Sequence, residues 1–237
     1  MRMHLNVRGA AALLAAAFSL LLPFTSLNAQ HVSMNLNLEL AEPEGAFHDN
    51  VKKLGVGVGG GVAYHFGDVP IALGLEGGIL GISVETRNEP FSPSIPEVSL
   101  RVTTSHNLAM GHAFVRLQPA SGFIRPYVDG VAGIHDLFTT TSVNDATGTS
   151  STNKSNIVFA YGARAGIMVP VYQCEGATCE DGCSAVMIDI GAGYMHGATG
   201  EYLRDGGIHR DNGNVTYDIT SSETNLITGH LGVVVQF

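Results

Sequence analysis

The clearest feature of the chain is an alternation of apolar and polar residues with a period of two. Between positions 31 and 40, every second residue is large and apolar, and the residues between them are mostly polar or acidic. Between positions 54 and 66, the large apolar residues alternate mostly with glycine. Such alternation predicts β-strands with one face in an apolar medium, because successive side chains of a strand point to opposite faces.

Eight alternating segments follow one another along the chain. They cover residues 31–40, 54–66, 71–87, 98–117, 126–143, 156–172, 185–203 and 216–237. Several contain 15 residues or more, whereas strands of soluble sheets usually contain about five or six. Four longer, polar connections (41–53, 88–97, 144–155 and 204–215) alternate with shorter ones, apart from a long turn at 173–184. This asymmetry is typical of outer-membrane barrels, so we predict an all-β fold, an eight-stranded antiparallel up-and-down transmembrane β-barrel.

The first 29 residues have the features of a secretory signal peptide. Arg2 and Arg8 precede an apolar run at 9–22, and a polar stretch with a small residue at its end follows. The run has 14 residues, which is too short for a transmembrane helix of about 20 residues. We place cleavage after Ala29, so the predicted domains are a signal peptide at 1–29 and a barrel at 30–237.

The composition favours a membrane β-barrel over a soluble domain and argues against a nucleic-acid partner. The chain is 45% apolar and only 14% charged, whereas soluble domains usually contain about 25% charged residues. The net charge of −9 argues against a nucleic-acid partner, because phosphates require basic surfaces. Glycines at 55, 57 and 60 match the spacing of a dinucleotide fingerprint, but they lie inside a strand with no helix after it. We therefore expect no cofactor.

The last strand carries a further signal. Leu231, Val233 and Val235 share one face with the C-terminal Phe237, and a terminal Phe on an apolar alternating strand resembles the assembly signal of outer-membrane barrels. Residues 125–133 (Arg-Pro-Tyr-Val-Asp-Gly-Val-Ala-Gly) resemble a strand opening of the small eight-stranded family that includes OmpX and the OmpA membrane domain. The resemblance covers nearly all of 30–237 as a pattern. It implies an outer-membrane location, with lipid and the outer-membrane assembly machinery as partners, and we expect a monomer.

Aromatic residues cluster near the strand ends, which is typical of the girdles at membrane interfaces. At one end these are Tyr64, Phe66, Phe123, Tyr172 and Phe237, and at the other end they are Phe138, Tyr194 and Tyr202. We expect both groups to face outward at the two interfaces.

Charged residues in the middle of the strands fall on the face opposite the apolar residues. The candidates are Glu76, Arg116, Asp129, Arg164 and Asp189. A basic residue on the lipid face at mid-bilayer costs about 2–4 kcal/mol, and eight strands enclose an interior just wide enough for side chains to fill. We therefore predict that these five residues form a network inside the barrel, and the alternative is that they are solvated in a wet channel.

Three cysteines, Cys174, Cys179 and Cys183, lie in one hydrophilic turn with the spacing C-x4-C-x3-C. The predicted fold places this turn in the periplasm, which is an oxidising compartment. One local disulfide and one free thiol is our first interpretation. Metal binding is the alternative, although the spacing matches no common zinc motif.

The sequence favours a structural or surface-interaction role of the adhesion type over an enzymatic one. Loops on a rigid scaffold commonly carry recognition, so an extracellular partner is expected at 41–53, 88–97, 144–155 and 204–215. The alternative is a narrow channel for ions or small solutes. A lipid-modifying enzyme is the weaker hypothesis, with His31 and Ser33 (His31-Val32-Ser33) and the adjacent Ser105 and His106 as candidate pairs, so we do not expect an enzyme.

Overall fold

The computed structural model describes residues 31–51, 53–67, 69–92, 95–143, 150–174, 185–211 and 214–237. The predicted signal peptide at 1–29 lies outside these residues. The helix α1 spans Ala46–Val51. The strands are β1 (Val32–Pro43), β2 (Gly55–His65), β3 (Ile71–Ser92), β4 (Ile95–Leu117), β5 (Arg125–Val143), β6 (Ser150–Gln173), β7 (Ala185–Gly197), β8 (Thr199–Asp211), β9 (Asn214–Glu223) and β10 (Leu226–Gln236).

Eight of the strands form a closed antiparallel barrel in the order β1-β10-β7-β6-β5-β4-β3-β2. The barrel closes between its first and last strands, with Ser33 opposite Gln236 and Pro43 opposite Leu226. The predicted fold class is therefore confirmed. No helix among the described residues is long and apolar enough to cross a membrane.

The outer and inner faces of the barrel wall differ in polarity and exposure, as the alternation predicts. On β1, the outward Leu36 is 66% exposed, whereas the inward Asn37 is 5% exposed. The same contrast holds on β5, where the outward Val128 is exposed and the inward Asp129 is buried. The exposed outer surface is therefore apolar, and polar side chains lie in the interior.

The two ends of the barrel also differ. We call the end where β1 begins and β10 ends the terminal end, and it also carries the β4–β5 connection at 118–124. The opposite end, the loop end, carries α1 and a separate two-stranded sheet formed by β8 and β9. Outer-membrane barrels keep short turns in the periplasm and longer loops outside, which assigns the terminal end to the periplasm.

The seventh and eighth predicted strands are each divided in two, so the prediction of two continuous strands at 185–203 and 216–237 is wrong. The predicted strand 185–203 breaks at Ala198, and the predicted strand 216–237 breaks between β9 and β10. The physical reason is a one-residue shift in the alternation: Met195 is buried on an odd position, whereas Tyr202 is buried on an even one. Thr224 Oγ1 donates to the carbonyl oxygen of Ala198 at 3.1 Å across this bend.

The predicted loops contain more regular structure than expected. Most of 204–215 belongs to β8 and β9, and most of 88–97 belongs to β3 and β4, which pair as far as Ser92 opposite Ile95. Residues 41–53 contain α1. Of 144–155, the part at 144–149 lies outside the described residues.

An apolar cluster closes the interior near the loop end. Phe47 of α1 is 1% exposed and packs against Tyr202 of β8 with 5.0 Å between ring centroids. Leu80, Leu108 and Leu226 belong to the same buried cluster. The prediction that Tyr202 faces outward in an aromatic girdle is therefore wrong, because its ring completes this cluster, which we call the plug.

Candidate functional site

The interior below the plug contains a group of paired charges that we call the lumen cluster: Glu76, Arg116, Asp129 and Arg164. Arg116 on β4 and Asp129 on β5 are register partners. The Nε and Nη2 atoms of Arg116 donate to Oδ1 and Oδ2 of Asp129, both at 2.8 Å. This two-point geometry is the strong form of an arginine–carboxylate pair.

Arg164 on β6 joins the two halves of the lumen cluster. Its Nε and Nη2 atoms donate to Oδ2 of Asp129 at 3.0 and 2.8 Å. Its Nη1 and Nη2 atoms also donate to Oε1 and Oε2 of Glu76 at 3.1 and 2.9 Å. Glu76 and Asp129 therefore share one guanidinium, and two cations balance two anions in the cluster.

Two histidines that are absent from the predicted network extend the lumen cluster toward the plug. The Nδ1 atom of His112 lies 3.2 Å from Oε1 of Glu76, and its Nε2 atom lies 3.0 Å from Nε2 of His135. The signal was present in the sequence, because alternation places both histidines on the inward face. Neutral imidazoles can act as donor and acceptor in such a chain.

Asp189, the fifth residue of the predicted network, lies in a neighbouring group. The hydroxyl of Tyr127 donates to Oδ1 of Asp189 at 2.9 Å, and Nε2 of His230 lies 3.4 Å from Oδ2. Among the described residues, no arginine forms an ion pair with Asp189. The link to the lumen cluster runs through Tyr127, whose ring centroid lies 3.9 Å from Cζ of Arg116.

Inward glycines make room for these side chains. A Cβ atom on Gly74 would overlap the ring of Phe114, and one on Gly166 or Gly191 would overlap the hydroxyl of Tyr127. The glycines thus allow aromatic rings to lie across the interior and to flank the arginines.

The interior is filled rather than open. A cavity of about 30 Å³ lies between the lumen cluster and the plug, which is room for about one or two water molecules. Among the described residues, no group of three or more His, Cys, Asp or Glu side chains could hold a metal ion. The lumen cluster can brace the barrel wall, because each of its four charges is matched by an opposite charge within hydrogen-bond distance.

The serine–histidine pairs considered for lipid chemistry are arranged differently from their order in the sequence. Ser33 Oγ lies 2.9 Å from Nε2 of His65 on the neighbouring strand. His106 Nδ1 lies 3.1 Å from the hydroxyl of Thr139. Both contacts lie on the inward face, away from lipid.

The cysteine turn is described only at its first member. Cys174 is disulfide-bonded, and Cys179 and Cys183 lie outside the described residues. Which cysteines pair, and whether one thiol is free, stays a prediction.

The predicted assembly signal occupies the closing strand. Leu231 and Val233 are exposed on the outer face of β10, Val235 is half-buried on the same face, and Phe237 N donates to the carbonyl oxygen of Val32 at 2.9 Å. Recognition of these residues by the assembly machinery stays a prediction.

A closed eight-stranded barrel with an apolar outer band and a charged interior defines the class of transmembrane β-barrels of the outer membrane. The chain belongs to the family of outer membrane protein beta-barrel domains, whose model matches residues 10–171. Its location is therefore the outer membrane. No curated protein matches the sequence significantly.

Three solved structures illustrate the similarity in fold. Neisserial surface protein A has 15% identity and a TM-score of 0.45, with 87% of this chain and 97% of that chain covered. Ail, the attachment invasion locus protein of Yersinia pestis, has 15% identity and a TM-score of 0.39, with 87% and 97% covered. OprG of Pseudomonas aeruginosa has 12% identity and a TM-score of 0.45, with 88% and 96% covered.

Proposed function

We propose that this barrel is a surface-interaction protein that presents a projecting sheet at its loop end to an extracellular partner. The observation that carries the proposal is the length of the β3–β4 hairpin. β2 pairs with β3 only as far as Val56 opposite Gly81, whereas β3 pairs with β4 as far as Ser92 opposite Ile95. At about 3.3 Å per residue, the hairpin continues roughly 35 Å along the strand beyond that point.

The neighbouring strands extend with the hairpin. β4 pairs with β5 up to Val102 opposite Val143, and β5 pairs with β6 up to Ser142 opposite Ser150. Four strands therefore project together, and β2 does not cover the β3 edge of this part of the sheet. An uncovered edge offers backbone N–H and C=O groups to an extended segment of a partner.

The filled interior weighs against the channel hypothesis. The lumen cluster and the plug follow one another along the barrel interior, and the cavity between them has a volume of only about 30 Å³. The inward position of the Ser33–His65 contact likewise gives little support to lipid enzymology, because a lipid substrate would approach the outer face. We therefore infer that the protein acts through its loop end and is not an enzyme.

The test is to shorten the projecting hairpin without touching the barrel. Residues 84–105 are replaced by Asn-Gly, which favours a two-residue hairpin turn. Cells that carry the shortened barrel should lose adherence to immobilised animal cells and to other bacterial cells, while the heat-modifiable gel mobility of a folded barrel persists. A matched control replaces the terminal-end turn 119–122 with a sequence of equal length, which should leave adherence unchanged. Equal adherence by wild type and the shortened barrel would contradict the proposal.

A further inference from the structure

Arg125, the first residue of β5, is a buried cation at the terminal end of the interior. Its side chain points inward, and the residue is only 8% exposed. Its Nη1 atom donates to Oε1 of Gln236 on β10 at 3.0 Å. Its Nε atom is buried and has no hydrogen-bond partner among the described residues.

The other two interior arginines are matched by acids, and Arg125 is not. Arg116 and Arg164 each form ion pairs with Asp129, and Arg164 also pairs with Glu76. In the described part of the chain, Arg125 forms no ion pair, and its hydrogen-bond partner is a neutral amide. A buried guanidinium without an anion is unfavourable, because desolvation is not offset by an opposite charge.

A second unsatisfied polar atom lies at the same end. Gln118 is buried, and its Oε1 atom has no hydrogen-bond partner among the described residues. Its Nε2 atom lies 3.2 Å from Sδ of Met168, and Met168 is the register partner of Arg125. A buried donor and a buried acceptor near Met168 thus both lack a hydrogen-bond partner among the described residues.

We propose that the terminal end of the interior binds a small oxyanion of the phosphate class, with Arg125 as its anchor. The guanidinium offers parallel N–H groups that match two oxygens of one phosphate. A hydrogen phosphate group also carries an O–H, which can donate to Oε1 of Gln118. The site lies at the periplasmic side, so the phosphate group comes either from a free solute or from a lipid headgroup of the inner leaflet.

The decisive measurement is the Nε–Hε signal of each interior arginine in a ¹H–¹⁵N NMR spectrum. The protein is held in maltoside micelles, which contain no phosphate, and inorganic phosphate is titrated against chloride at constant ionic strength. The Arg125 signal should shift in a saturable way and become protected from solvent exchange. Arg116 and Arg164 are internal controls, because their Nε atoms already donate to Asp129, and their signals should stay in place.

Variants and a second phosphate source complete the test. Arg125→Gln should weaken phosphate binding by about tenfold or more, the usual effect of removing a hydrogen bond to a charged group. Lys53→Gln, at the loop end, removes the same charge and should leave binding unchanged. Bicelles that contain phosphatidic acid provide the lipid-borne phosphate.

The possible outcomes distinguish the two phosphate sources from each other and from a failure of the proposal. A shift with inorganic phosphate but not in the phosphatidic acid bicelles identifies a free solute, and a shift in the phosphatidic acid bicelles identifies a headgroup. No saturable shift of Arg125 in either arm would overturn the proposal. Equal shifts of all three arginine signals would also overturn it, because they would indicate a general ionic effect. The wild-type titration does not depend on any variant folding.

Discussion

Arg164 on β6 and Glu76 on β3 form a two-point ion pair across the barrel interior, with N···O distances of 3.1 and 2.9 Å. Their strands are not neighbours, because β4 and β5 lie between them in the wall. The side chains are only 10% and 13% exposed, so water screens the pair weakly. The pair therefore ties two separated parts of the wall together through the interior.

Removing one partner of this pair should strongly destabilise the barrel. Arg164→Gln leaves Glu76 without a cation and removes one of the two guanidinium groups that donate to Oδ2 of Asp129. We expect the free energy of unfolding to fall by about 3–5 kcal/mol, the usual cost of an uncompensated buried charge. Urea unfolding in lipid vesicles, followed by gel mobility, measures the change.

A double-mutant cycle measures the interaction energy between Glu76 and Arg164. The double variant Glu76→Gln/Arg164→Gln should lose less stability than the sum of the single variants, because it leaves no unpaired Glu76. Lys53→Gln is the control for loss of one exposed charge. Strict additivity in the cycle would show that the two residues do not act on each other.

Inward glycines should tolerate substitution much less well than outward ones. A Cβ on Gly166 would overlap the hydroxyl of Tyr127 and the carbonyl oxygen of Ile190, whereas a Cβ on Gly130 meets no atom within 4 Å. We expect Gly166→Ala to cost about 1–3 kcal/mol. Gly130→Ala should be neutral or stabilise by about 0.4–1 kcal/mol. Paired urea titrations compare the two, and equal effects would contradict the assigned faces.

The barrel could be predicted from sequence because lipid and interior impose opposite polarity on neighbouring residues of every strand. That rule identified the inward position of Glu76, Asp129 and Arg164 without any structure. The same rule also places Tyr127 on the face of Asp129. The rule does not predict how far a side chain extends into the interior, so the pairing of Tyr127 with Asp189 was not predicted.

The structure of the loop end was predicted less well, because lipid does not impose an apolar outer face on the residues there. The alternation around Ala198 shifts by one residue, which a search for changes of parity could have found. The helix α1 gives a weaker signal, because six residues are too few for a clear helical period. Its burial depends on Tyr202, which is about 150 residues away in the chain.

Loosening the plug should free α1 without unfolding the barrel. Phe47→Ala removes the ring that packs on Tyr202, and truncating a buried Phe to Ala typically costs about 3–5 kcal/mol. We expect faster amide exchange in α1 and unchanged exchange in β5, because local opening does not require the wall to open. Phe123→Ala is the matched control, since Phe123 is 80% exposed. Faster exchange throughout the barrel would show that the plug supports the whole fold.

The interior has two barriers in series, so opening either one alone should not produce a conducting pore. Glu76→Ala/Arg164→Ala opens the lumen cluster but leaves Phe47 and Leu80 in the plug. Phe47→Ala opens the plug but leaves the ion pairs below it. We expect wild type and both of these variants to remain closed in planar bilayers and the triple variant to conduct, because ions need a continuous wet path. Single-channel current at constant voltage distinguishes them. Conductance of the wild type at the level of a wide porin would contradict the filled interior, and conductance of Glu76→Ala/Arg164→Ala alone would show that the plug does not seal the loop end.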